Sequence, residues 1–285
     1  MTLYGALPLG VVVGLAVVLG LAAGSFVNVV AHRVPAGLSV ASPGSACPAC
    51  GHAVRGFDNV PVLSWLVLRG RCRDCASPIS ARYPVVEAGT GLLFGVLAIR
   101  LADLRGAPGW SLLAAAAVLA AAGVALALID LDHGRLPFVL TGMTAALTGL
   151  ALAAGWAWTG SRSGAEAVLD QAVPVLVGAG IWLAVIGGLH VLTRGRGMGL
   201  GDVALAPVLG GFLGAFGVAE AAVGLGLAFA LGSLLGAVAL ALQRGAGAGR
   251  GTRIPFGPFL LAGTLGGVLV GGVLADAYLR LVGLA

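Results

Sequence analysis

The chain has 285 residues, of which 59% are hydrophobic and 9% charged, with a formal net charge of +5. A soluble domain carries about 25% charged residues, so a water-soluble fold is excluded, and most of the chain must sit in lipid as spans of roughly 20 apolar residues. All 16 basic residues are arginine. A membrane protein uses such residues to orient its loops, so no nucleic-acid partner is implied, and the oligomeric state is left open.

The first apolar stretch, PLGVVVGLAVVLGLAAGSFVNVV, is longer than a signal-peptide core and lacks a charged leader segment or a small-residue cleavage site. It reads as a retained helix. Eight spans are expected in all, at about 8–30, 84–101, 111–129, 137–158, 171–192, 203–217, 219–242 and 257–281, the sixth short and glycine-rich. In lipid each backbone polar group must pair within its segment, and the period-two alternation of a barrel strand is absent. The expected fold is an all-α polytopic membrane protein of about eight transmembrane helices. Its parts are a first helix (1–31), a small polar loop domain (32–83) and a larger helical region (84–285).

Arginine placement gives an orientation. If 32–83 is cytoplasmic, so are the loops near 130–136, 193–202 and 243–256. Those four hold Arg33, Arg55, Arg69, Arg71, Arg73, Arg82, Arg135, Arg194, Arg196, Arg244, Arg250 and Arg253, against Arg100, Arg105, Arg162 and Arg280 on the other side. This is a positive-inside bias. GAGAGRG at 245–251 is a flexible loop by composition and lacks the G-K-[ST] of a phosphate loop. GLGLAF at 224–229 lies within an apolar run and reads as small-residue helix packing.

All four cysteines fall in the polar loop, as C-P-A-C (Cys47, Cys50) and C-R-D-C (Cys72, Cys75), with 21 residues between the pairs. Two such knuckles suit one tetrahedral Zn²⁺. A pair of disulfides is disfavoured in a reducing compartment. His52 is expected at the surface. Four protein ligands leave no open position, so the site is structural, and metal binding would supply folding free energy that so short a segment lacks.

Two carboxylates stand at helix ends on the same face. ALALIDLDHGRLPFVLTG carries Asp130, followed by Asp132 and His133, and RGMGLGDVALAP carries Asp202. An aspartate deep in a span costs roughly 2.5–3.5 kcal/mol, so such residues usually face a bundle interior or a water-filled cavity. Two that converge share one proton. The ionised one then takes a proton from water while the protonated one polarises a peptide carbonyl. Gly199 and Gly201 would give a substrate backbone clearance. The alternative is a pair of solvated loop residues, which is also the reading of Asp132 and His133. Glu220 and Asp276 fall on the opposite face, and His190 reads as an interfacial or helix-packing residue.

Five segments in order then resemble a known family: GSFVNVVAHRVP (24–35), the cysteine loop through YPVVE (47–87), IDLDHGRLP (129–137), GLGDVALA (199–206) and RIPFGPF (253–259). Together they resemble the type IV prepilin peptidases, bacterial membrane aspartyl proteases of the G-x-G-D type. The resemblance implies that the reactive aspartates are Asp130, seven residues before Pro137, and Asp202. It implies cleavage of the basic leader of prepilins or pseudopilins at the cytoplasmic face of the inner membrane, with the lipid bilayer as the other partner. It also implies N-methylation of the new N-terminus with S-adenosylmethionine, an activity associated with the zinc loop, where Gly70 matches a family glycine. Two positions depart from the family pattern: Phe138 replaces an Asp or Asn, and Ala204 replaces a Lys. The competing readings are a peptidase without methyl transfer, a transporter with midplane carboxylates and related halves, and an assembly factor with a structural zinc loop.

Overall fold

The computed structural model describes residues 8–102, 106–245 and 255–283. Arg105, Arg250, Arg253 and nearly all of the GAGAGRG loop lie outside the described residues. The helices are α1 (Leu9–Arg33), short α2 (Leu63–Val67), α3 (Arg82–Arg100), α4 (Gly106–His133), α5 (Phe138–Leu192), α6 (Leu200–Gly214), α7 (Val218–Gly245) and α8 (Gly257–Leu281). Among the described residues there is no β-strand, only two isolated bridges in the cysteine loop.

Among the described residues, six helices are long and apolar enough to cross a membrane: α1, α3, α4, α5, α7 and α8. Helix α5 has 55 residues and is interrupted at Gly164, with φ 82 and ψ −179. That conformation is essentially open only to glycine, so α5 is two rods, 138–163 and 165–192. The polar stretch 159–170, read from sequence as a loop, is helical on both sides of this break because its exposed residues tolerate a helix in water. Counting the two rods and α6, eight apolar helical segments are present, as expected.

Helix α6 has 15 residues, about 22 Å at 1.5 Å per residue, short of a hydrocarbon core of about 30 Å. It is enclosed by α5, α7 and α8, and Leu205, Ala206 and the run from Leu209 to Gly214 are buried. A helix wrapped in protein need not reach both lipid faces.

The chain divides into two compact units: Met1–Arg105 with Ala117–Ala125, and Gly106–Ala116 with Leu126–Ala285. In the first, α1 packs on α3 through small residues. A Cβ on Gly20 would fall 2.7 Å from Thr90 O, and one on Gly24 2.8 Å from Glu87 Cα. Without a hydrophobic driving force between helices in lipid, such close backbone contact is what holds them. Asn28 Nδ2 adds a bond to Tyr83 O at 3.3 Å. In the second unit Gly178 of α5 meets Gly210 of α6, Gly263 of α8 meets Gly224 and Ala228 of α7, and Trp182 Nε1 donates to Ala221 O at 2.8 Å, tying α5 to α7.

Candidate active site and metal centre

Both aspartates singled out in the sequence lie in the second unit, each at a helix terminus. Helix α4 stops where Gly134 adopts φ 61 and its amide bonds Asp130 O at 2.8 Å, a left-handed helix end that favours glycine. Pro137, in extended conformation, then opens α5. Asp130 thus sits in the last turn of α4, 5% exposed. Its Oδ2 accepts a hydrogen bond from the main-chain amide of Gly257, at the start of α8, at 3.0 Å.

Asp202 sits in the first turn of α6 and is 9% exposed. Its Oδ2 accepts the amide of Gly199, the residue capping α6, at 3.0 Å. A carboxylate at the third helical position reaching back to the cap amide satisfies one of the orphan donors of the first turn and meets the positive end of the helix dipole. Each acid therefore commits Oδ2 to a glycine amide, with Oδ1 outside that bond.

Leu136 joins the two halves. It is 7% exposed; a Cβ on Gly201 would fall 2.7 Å from Leu136 Cβ, and one on Gly257 would fall 3.3 Å from Leu136 Cδ2 and 2.7 Å from Asp130 Oδ2. Gly201 is therefore filled by Leu136 rather than open to a substrate, whereas Gly199 is exposed. The loop before Asp202 is built by His190, whose Nδ1 donates to Met198 O at 2.8 Å, and by Thr193 Oγ1, which accepts the Gly197 amide at 3.0 Å. Sequence reasoning gave His190 an interfacial or packing role and gave Leu136 and Gly257 none. The signal for Gly257 was present in the RIPFGPF segment, next to the last helix.

Asp132 and His133 are exposed. Asp276 lies near the far end of α8, and Glu220 in the first turn of α7; neither joins Asp130 and Asp202. Phe138 is exposed at the first position of α5, and Ala204 is half-buried two residues beyond Asp202. The carboxylates stand at helix ends, which does not suit the midspan sites of a transporter.

The first unit brings the four cysteines together. All four Sγ atoms lie within 4.8 Å of one another, and Cys47 and Cys75 Sγ are 3.8 Å apart. Four thiolates at Zn–S distances near 2.3 Å on a tetrahedron are separated by about 3.8 Å, so the donor set and its spacing fit the metal. The knuckles repeat one pattern: Cys47 N donates to His52 O at 2.9 Å and Cys72 N to Ser77 O at 2.8 Å, while Gly51 and Ala76 amides return to Cys47 O and Cys72 O. The cysteines are unpaired and His52 is exposed outside the cluster. Ser77 beside Cys47 holds that thiol down at about 6. The His52 amide favours the Cys50 thiolate, yet burial and the neighbouring thiols outweigh it and push Cys50 up to about 12. Two arginine pairs brace the loop: Arg55 with Asp74 at 2.7 Å and Arg73 with Asp58 at 2.6 Å.

Comparison with known proteins bears on both centres. Residues 18–101 match the Bacterial Peptidase A24 N-terminal domain. The chain is 37% identical to the prepilin leader peptidase/N-methyltransferase of Burkholderia pseudomallei over 91% of this chain and 86% of that protein. It is 34% identical to the protein of the same name from Pseudomonas aeruginosa, over 94% of this chain and 93% of the relative. It is 43% identical to that of Myxococcus xanthus over 69% of this chain and 54% of the relative. No solved structure matches the chain. By the extent of the Burkholderia and Pseudomonas alignments, too long to leave out either the cysteine loop or the two aspartate segments, the chain belongs to the prepilin leader peptidase/N-methyltransferase family.

Proposed function

We propose that the protein is a membrane aspartic endopeptidase that removes the basic leader of prepilins or pseudopilins and then N-methylates the new N-terminus. One observation supports the first activity above all: two buried carboxylates, distant in sequence, are each anchored by a glycine amide at a helix start, and Leu136 packs against both Gly201, next to Asp202, and Gly257, the residue that bonds Asp130. In this reading one of Asp130 and Asp202 is ionised and accepts a proton from water. The water oxygen attacks the scissile carbonyl carbon while the other acid, protonated, donates to the carbonyl oxygen. Collapse of the tetrahedral adduct breaks the C–N bond, and the departing nitrogen takes up a proton from the pair.

Methyl transfer is assigned to the module 32–83, with S-adenosylmethionine as the methyl donor and Gly70 as an associated position. Cys47, Cys50, Cys72 and Cys75 would hold Zn²⁺, which closes the two knuckles into one folded unit and supplies no open coordination position. The arginine distribution supports a cytoplasmic module and cytoplasmic aspartates in a bacterial inner membrane. A prepilin with a membrane helix and a short basic leader would then present its scissile bond at that boundary.

The test uses purified protein in detergent with a prepilin, following leader loss by mass. Asp130→Ala and Asp202→Ala are each expected to abolish cleavage while melting as the wild type does. Wild-type cleavage by either variant sinks the paired-acid mechanism.

A further inference from the structure

The first unit contains a carboxylate that neither peptide cleavage nor the cysteine cluster uses. Glu87 lies in the second turn of α3 and is 8% exposed. Asp58 and Asp74, in the same unit, are paired with arginines. Glu87 instead reaches a main-chain group: its Oε2 accepts the amide of Val62 at 2.7 Å. Val62 has φ 63 and ψ −51, and across it Leu63 N donates to Pro61 O at 2.6 Å. This is the rare, strained form of the γ-turn, built on a β-branched residue for which positive φ is a true outlier. Such strain persists only where the surroundings impose it, and it clusters at functional sites.

The turn has a structural consequence. It launches α2, and α2 carries Trp65, whose Nε1 donates to Ile79 O at 3.0 Å. The Trp65 ring covers Gly70 so closely that a Cβ there would lie 2.9 Å from it, and Gly70 has φ 67. Gly70 N donates to Trp65 O at 2.9 Å, and Ile79 N to Gly70 O at 2.7 Å. Gly70 and Ile79 are the two ends of the segment that forms the second knuckle. One buried carboxylate on α3 thus holds, through a single strained turn, the start of α2 and with it the Trp65–Gly70 contact.

We infer that Glu87 is a positioning residue for methyl transfer, holding the Val62 turn and through it Trp65 and Gly70 in the arrangement that reaction requires. The inference rests on the reading that the module 32–83 carries methyl transfer. It does not involve Asp130 or Asp202, so the two activities should separate.

The experiment uses the full chain in detergent with a prepilin and isotopically labelled S-adenosylmethionine, measuring leader loss, methyl incorporation and bound zinc on the same samples. Glu87→Ala is expected to lower the methylation kcat about tenfold or more, the scale of a lost hydrogen bond to a charged group, with cleavage and zinc content as in the wild type. Glu87→Gln keeps an oxygen that can accept the Val62 amide and restores most of the rate. Val62→Gly adopts positive φ without strain, so the Glu87→Ala/Val62→Gly double variant methylates faster than Glu87→Ala alone, a coupling only neighbouring residues display. The inference is overturned if Glu87→Ala keeps pace with the wild type, if Gln performs no better than Ala, or if cleavage and zinc fall together with methylation. A wild-type chain that cleaves without methylating removes the underlying reading and this inference with it. A wild-type chain that methylates alongside a fully active Glu87→Ala overturns the inference alone.

Discussion

The contact between Gly257 and Asp130 offers the sharpest test of how the candidate acids are held. Replacing Gly257 with alanine puts a methyl 2.7 Å from Asp130 Oδ2 and 3.3 Å from Leu136 Cδ2, the former closer than real Cβ contacts allow. Either the carboxylate rotates away or the start of α8 retreats, and in both cases the 3.0 Å bond from the Gly257 amide is lost. A hydrogen bond to a charged group is worth about 1.5–3 kcal/mol, and displacement of a catalytic group by about 1 Å costs up to a hundredfold. Gly257→Ala is therefore expected to lower kcat for leader cleavage roughly ten- to hundredfold with little change in KM. Gly142, exposed in the first turns of α5 with nothing near its Cβ position, supplies the control: Gly142→Ala should cleave normally and melt no lower. Steady-state cleavage in detergent, with thermal melts of all three proteins, decides the matter. A Gly257→Ala variant that folds and cleaves at the wild-type rate refutes the claim that this amide cradles a catalytic carboxylate.

Three further outcomes are expected. Replacing Cys47, Cys50, Cys72 and Cys75 by serine should abolish bound zinc in metal analysis, and unchanged content would refute the ligand set. Arg73 holds the Asp58 carboxyl below its ordinary range. The pair's stabilisation is thus fully present above an ordinary aspartate value of about 4 and lost as pH falls through the lower folded value. The difference in melting temperature between wild type and Asp58→Asn should accordingly be flat near neutrality and vanish in acid; a difference that persists in strong acid contradicts the pairing. Gly164→Ala forces a side chain into a backbone region essentially reserved for glycine and should cost about 1–3 kcal/mol, read as a lower melting temperature with spans otherwise intact.

Much of this architecture was legible in the apolar runs, because lipid leaves the backbone no alternative to helices. The break in α5 was not: Ser161, Arg162 and Glu166 read as a loop, yet their exposure lets the helix run on until Gly164 alone interrupts it. The identities of Asp130 and Asp202 came from motif spacing and from the side of the membrane that arginine counting assigned. The support of Asp130 was hidden, since Gly257 lies 127 residues away and no local pattern encodes a contact made only when α8 starts beside the end of α4. Gly201 illustrates the same limit. Its missing side chain suggested room for a substrate, but folding gives that room to Leu136. Glu87 stood in the sequence only as the last residue of the YPVVE segment; what marks it out is a backbone angle at Val62.

The short, enclosed α6 has one more consequence. Helix α8, at 25 residues and thus about 37 Å, is longer than a typical hydrocarbon thickness, a mismatch that such helices accommodate by tilting, kinking or thickening the bilayer locally. Helix α6, at 15 residues and packed on its neighbours, carries no such excess length itself. Asp130 bonds the first residue of α8 and Asp202 the residue capping α6, so a change in the tilt of α8 is expected to act on the two acids unequally. Cleavage assayed in nanodiscs of graded acyl length should pass through an optimum, and a rate indifferent to chain length would show that the pair is clamped independently of α8.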